Sequence, residues 1–509
     1  MRRMVFAVAG LLVCLDAFGA THSTPQPMTL SREGQQRVVA RQVRAQLAKD
    51  YVTARRRVLS PCAGALEKLA GWSIEQKAKT EAEAVLAELA KVDPENPQLV
   101  RLKAEAGALT SPQPLGEAQQ KDYAQRLASA RKAGGEALVG LARKCNDAGL
   151  VNYAYDILQE VLKIHPDDPT ARAALGFVKV GNEWLPTFVA TQQRKGLKYL
   201  PDIGWVPAQT ADRIGQGEWC EGGRWMKMAE ADKLHANFDT PWTIETENFT
   251  LKSTCTRKQA LQVAEKLEAI RQCNYRQYLD FFLRGSAKKG AQMLFNTTST
   301  EKLAVNYYAT EEDYATAVKR GRFGSNPELL LRSVGFYSSG AHASFFYHLD
   351  WGNGEHLATM QHEVTHQILG EYATRGSAPV WLCEGMAETL EYARPDAQGN
   401  LVVPPGRKHP DVRQAAEWLR SNALPAIRGL FGLTDETFHL EPGRHRNYQW
   451  AGAFCRFLLE FEKGIYATDF LEYAYDSYMG RAKTPITDYV GMTEEALDKA
   501  FRDYLTAGQ

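Results

Sequence analysis

An α+β fold is predicted, on three observations. Residues 25–180 carry apolar side chains at helical spacing; residues 181–238 place tryptophans behind glycine-rich turns; residues 239–509 mix strand-like alternation with long amphipathic helices. The chain of 509 residues is too long for one ordinary domain, and 44% hydrophobic and 10% aromatic content supply real cores. Charge is balanced, 61 Lys and Arg against 60 Asp and Glu, so no basic excess points to nucleic acid.

In the N-terminal residues 1–20, "MRRMVFAVAGLLVCLDAFGA", Arg2 and Arg3 precede an apolar run from Met4 to Leu15 and small residues near Ala20. That order predicts a bacterial-type signal peptide and an exported protein, periplasmic or extracellular. The run is shorter than the roughly 20 residues of a membrane span, and no later segment is apolar for long enough. An uncleaved anchor is the minority alternative. Seven cysteines follow Cys14, an odd number that leaves at least one thiol unpaired, and their spacing matches no zinc-finger pattern.

Two stretches of the helical region share a plan. "EAEAVLAELAKVDPENPQLVRLKAEAG" and "VNYAYDILQEVLKIHPDDPTARAALGFVKV" each read as a helix, an Asp-Pro turn and a second helix. The second resembles a tetratricopeptide repeat at Ala154, Leu158, Pro166 and Ala173–Ala174; a generic helical bundle carries equal weight. These helices are a candidate surface for a protein partner. Beyond them, "GFVKVGNEWLP", "IGWVPAQ" and "GEWCEGGRWMK" predict short hairpins with small helices between, a linker whose tryptophans serve as packing anchors.

From about residue 240, "PWTIETENFTLKST" alternates like a strand, residues 256–283 form a long helix, "KGAQMLFNTTS" is a strand, and "SVGFYSSGAHASFFYH" is a strand pair. A helix closed by Gly370 then carries "QHEVTHQILG". His362 and His366 are one turn apart and share a face, so both imidazoles can bind one metal, while Glu363 is offset toward a water molecule at that metal. A catalytic zinc usually takes three protein ligands. The helix in "APVWLCEGMAETLEYA" offers Glu384 as the third; Glu388, one turn on, is suited to hydrogen-bond the outer nitrogen of a ligating histidine. The reverse assignment of these two glutamates is the minority reading.

"HEVTH" followed by "WLCEGMAE" resembles the gluzincin class of zinc metallopeptidases, the thermolysin and aminopeptidase type. Cys383 stands where that class commonly has Asn, and the gap is a residue or two shorter than in the best-known members. The pattern looks like a peptidase-like family in which helical repeats precede such a domain. The resemblance covers residues 240–509 and implies a Zn²⁺ cofactor, a peptide or protein substrate, and a mixed sheet over the HExxH helix. It also implies His362, His366 and Glu384 as ligands, Glu363 as general base, and a downstream Tyr or His as oxyanion donor. Tyr448 is preferred for that donor over His445 and Arg446, with a packing role at a helix start as its alternative. Peptide addition to a sheet edge would use the 335–348 strand pair, with Tyr337 and Phe345 lining pockets or else simply facing the core. A catalytically inactive binding module is the competing functional class.

Overall fold

The computed structural model describes residues 32–284, 295, 301–321, 323, 327–350, 354–373, 376 and 378–506 apart from 441. The signal segment lies outside the described residues, as does the strand expected at "KGAQMLFNTTS" apart from Phe295. The chain is α+β, with an N-terminal helical region and one mixed sheet.

The helical region begins with Arg32–Glu75 and continues through Lys79–Val92, Leu99–Gly107, Glu117–Asp147, Val151–Ile164 and Pro169–Ala174. The two Asp-Pro turns break the chain where expected. Asp168 caps the helix after the second turn, its Oδ1 accepting the Ala171 N–H at 2.9 Å with Pro169 in the first helical turn. Leu89, Leu138, Ile157 and Val161 are buried in a shared interior. That apolar cluster continues to Leu505, so the helical region is packed onto the rest of the chain. The first helix adds a polar latch: Arg44 reaches Asp469 at 2.5 Å and Arg37 reaches Glu472 at 2.9 Å.

Three copies of one small unit follow, beginning a few residues before the expected boundary at 181. Strands β1 (Phe177–Val180) and β2 (Glu183–Pro186), β3 (Leu197–Leu200) and β4 (Gly204–Pro207), and β5 (Glu218–Glu221) and β6 (Arg224–Lys227) are antiparallel hairpins, each followed by a short helix. Trp184, Trp205 and Trp225 occupy the second position of β2, β4 and β6. A glycine with positive φ (Gly176, Gly196, Gly217) opens each unit. Its carbonyl accepts the N–H of Thr187, Ala208 or Met228 after the hairpin. Only glycine reaches that left-handed conformation at no steric cost, so the position recurs.

The sheet has the order β10-β11-β9-β8-β7, with β7 (Trp242–Glu245), β8 (Phe249–Ser253), β9 (Leu303–Tyr308), β10 (Gly335–Ser338) and β11 (Ala343–Tyr347). The outer pairs β7–β8 and β10–β11 are antiparallel; the inner pairs β8–β9 and β9–β11 are parallel. "PWTIETENFTLKST" is therefore a hairpin of two strands, and the central strand "LAVNYY" is one the alternation rule missed. Side chains divide by face. Leu251, Val305, Tyr307 and Phe346 join the main core, which also holds Val364 and Ile368. Tyr308, Tyr314, Phe336 and Phe345 form a second aromatic cluster.

Two helices follow the sheet. Gly354–Tyr372 runs two residues past the expected stop at Gly370, and Val380–Glu391 begins directly after Pro379. The helix Arg257–Gln277 braces both: Asn274 donates to Thr365 Oγ1 at 3.0 Å, and just beyond the helix Tyr278 donates to the Met386 carbonyl at 2.7 Å. Helix Arg444–Glu460 closes over Val380–Glu391. A Cβ on Gly385 would lie 2.6 Å from the Ala451 carbonyl oxygen, and one on Gly452 2.2 Å from Asp411 Oδ2. Gly385 lets the two helix backbones approach closely beside Glu384, and Gly452 leaves room for the Asp411 and Glu388 side chains.

Candidate metal centre and its cavity

Three side chains from two helices converge. His362 Nε2 lies 3.1 Å from His366 Nε2 and 3.1 Å from Glu384 Oε2, and His366 Nε2 lies 3.3 Å from the same carboxylate oxygen. Ligands about 2.0–2.1 Å from a tetrahedral zinc are separated by roughly 3.3–3.5 Å, so the observed triangle is close to that spacing. At such distances either a shared proton or a bound cation holds the donor atoms together. The side chains are 11%, 18% and 13% exposed, desolvated yet open on one side. The three donor atoms lie close enough together to hold one metal ion.

The far side of His362 is also held. Its Nδ1 lies 3.2 Å from Glu391 Oε2 and 3.6 Å from Glu388 Oε1. A proton on Nδ1 donated to Glu391 leaves the Nε2 lone pair facing Glu384 and His366. The outer hydrogen bond expected from Glu388 thus belongs to Glu391. Glu388 sits deeper, 5% exposed, and shares a hydrogen bond with Glu391. The cause is helical geometry: residues 384, 388 and 391 fall on one face, and the longer step of seven places Glu391 beside the ring.

The imidazoles and carboxylates of the cluster also shift one another's protonation. Burial alone would push the Glu384 carboxyl up, but His366 and His362 hold it well below the usual carboxylate range. Burial alone would lower His362, yet hydrogen bonds to Glu384 and Glu391 carry it well above the usual imidazole range. Glu388 is raised well above its ordinary value by burial and by Asp411 and Glu391.

Glu363 is raised by burial, with His362 and His366 drawing it back. Its Oε2 accepts the backbone N–H of Tyr337 at 2.9 Å. That N–H comes from β10, an edge strand of the sheet, so an edge does border the site. The side chains expected to line pockets there are elsewhere. The Tyr337 hydroxyl donates to Glu371 at 2.7 Å, and Phe345 stacks on Phe336 at 5.0 Å inside the second aromatic cluster. The period-two alternation of β11 turns Phe345 away from the main core and from the site.

Tyr448 lies inside the first turns of helix Arg444–Glu460, its ring 6.0 Å from the His362 ring. Burial and the nearby Glu384 raise its phenol far above the usual range, so it remains a donor at neutral pH. Its hydroxyl is 3.1 Å from His439 Nδ1, a neighbour the sequence pattern did not signal. A cavity of about 480 Å³ opens on the cluster, lined by His362, Glu363, Glu388 and Glu391 together with Ser333, Thr359, Tyr392, Arg444, His445 and Tyr448. Cys383 contacts the Ala378 carbonyl at 3.7 Å, consistent with packing beside the site, and all seven described cysteines are free thiols.

No protein-family model, curated protein or solved structure matches this chain. No helix among the described residues is long and apolar enough to cross a membrane.

Proposed function

We propose that this protein is an exported zinc-dependent peptidase of the gluzincin type, with His362, His366 and Glu384 as the ligands. The observation that carries the proposal is the triangle of 3.1, 3.1 and 3.3 Å among their donor atoms, with Glu363 on the next position of the same helix. When bound, the zinc ion supplies Lewis acidity to the scissile carbonyl and makes water acidic enough to lose a proton near neutral pH.

The chain's own groups do the rest. Glu363, poised by the Tyr337 amide and by desolvation, takes the proton of the attacking water and returns it to the leaving amine nitrogen. Tyr448, a phenol kept protonated by burial, donates to the oxyanion that forms on the carbonyl oxygen. Glu391 fixes the His362 ring and its tautomer. The β10 edge gives an extended peptide a strand to pair with. The tetratricopeptide-like helices are a surface for a protein partner.

Replacing Glu363 by Gln tests the assignment. The variant is expected to retain one equivalent of zinc and to lose hydrolysis of a peptide library; retained hydrolysis removes Glu363 from the role of base. Zinc bound without turnover by the wild-type chain on any peptide would favour the inactive binding module.

A further inference from the structure

The cavity over the metal cluster has an unusual wall. Among its described lining residues there is no Val, Leu, Ile, Met or Phe; its side chains are hydroxyls, carboxylates, imidazoles, two phenols and one guanidinium. A pocket of this composition is poorly suited to select an apolar side chain, because it offers little apolar area to bury.

Its charges are unequally occupied. Glu363 accepts the Tyr337 N–H, Glu391 meets His362 Nδ1, and Glu388 shares a hydrogen bond with Glu391. Arg444 differs. Among the described residues no carboxylate pairs with it, and the Tyr448 ring lies 5.9 Å from its guanidinium carbon. Arg444 and Tyr448 are four apart on one helix and share a face, and the Tyr448 ring is 6.0 Å from that of His362. The guanidinium therefore lines the same cavity as His362 and Glu363 with its planar donor fork unspent, a geometry matched to a carboxylate.

We propose that Arg444 receives a carboxylate of the substrate, so that the enzyme prefers peptides presenting a negative charge next to the scissile bond. The inference rests on the peptidase reading above. The charge is either a free C-terminal carboxylate or an acidic side chain; both satisfy the fork, and the test separates them.

Three dipeptidyl hydroxamates serve as probes of the zinc-loaded chain by titration calorimetry: one with a free terminal carboxylate, one with a terminal amide and an acidic side chain, and one with a terminal amide and a neutral side chain. One of the two anionic probes is expected to bind about tenfold or more tighter than the neutral one, the discrimination of a charge-assisted hydrogen-bonded pair. Which of the two gains identifies the source of the charge. In Arg444→Gln that advantage should vanish while the neutral probe binds as before, which also shows the variant site to be intact. Equal binding of all three to the wild-type chain, or an advantage that survives Arg444→Gln, overturns the assignment of Arg444. Failure of all three to bind overturns the metal reading, and this inference falls with it.

Discussion

Glu391 Oε2 stands 3.2 Å from His362 Nδ1, on the side of the ring opposite Glu384. One imidazole thus bridges two carboxylates carried seven residues apart on a single helix. The inner one is a ligand candidate; the outer one decides which nitrogen carries the proton. Glu391→Gln should therefore weaken zinc affinity about 10- to 100-fold, the usual range for losing such an orienting partner. Competition with a chromogenic chelator measures it. A larger loss in Glu388→Gln would return the orienting role to Glu388.

Gly385 makes a second prediction. An added Cβ meets the Ala451 carbonyl at 2.6 Å and Cys455 Sγ at 2.6 Å, and backbone cannot swing aside as a flexible side chain can. Gly385→Ala should destabilise the fold by about 1–3 kcal/mol, the range for overpacking a tight site. Because Glu384 precedes it, zinc affinity should fall as well. Thermal unfolding with and without zinc reads both effects; an unchanged midpoint would mean that the helices are not in such close contact.

Tyr448→Phe removes the phenol without changing the ring that packs on Phe438 at 5.1 Å. It should lower kcat about 10²- to 10³-fold, as loss of one oxyanion donor does, and leave bound zinc unchanged. Steady-state kinetics on any cleaved peptide would show it. A change in KM alone would make Tyr448 a contact for substrate and not for the oxyanion.

A fourth prediction concerns acid. His356 is fully buried, its Nε2 3.1 Å from the Tyr307 hydroxyl, and burial, with the charge of His348, lowers its pKa to about 4. Between pH 6.5 and 4 the unfolded chain binds a proton at this ring that the folded chain refuses, so stability falls as pH falls. The contribution reaches about 2 kcal/mol at pH 5. His356→Gln lacks it, so the stability advantage of wild type over variant should shrink from pH 7 to pH 5 in urea titrations. A constant difference would show that the ring titrates normally in the fold.

Residue types and short spacings make the His362, Glu363 and His366 cluster legible in the sequence. His362, Glu363 and His366 are local, and helical periodicity alone puts the two imidazoles on one face. Glu384 required a second helix to return alongside, a tertiary event that Pro379 and the intervening length made readable. Glu391 escapes a one-turn spacing rule because it lies two turns from Glu384 on the same helix face. Phe345 and Tyr337 show the limit of strand patterns: alternation tells which side chains share a face, but not which face borders the site. Strand β9 escaped because a strand between two parallel neighbours is largely apolar on both faces, here with only Asn306 polar, and does not alternate. The Arg444 guanidinium reaches the cavity through helix Arg444–Glu460, whose placement depends on the glycine contact at Gly385, and no local pattern carries that information.

The most direct test is X-ray absorption at the zinc edge of the reconstituted chain, alongside Glu384→Ala. The account predicts one zinc per chain with two imidazoles and only nitrogen or oxygen ligands at about 2.0–2.1 Å, and a severe loss of bound metal in Glu384→Ala. A sulfur ligand, or a first shell unaltered in Glu384→Ala, would contradict it.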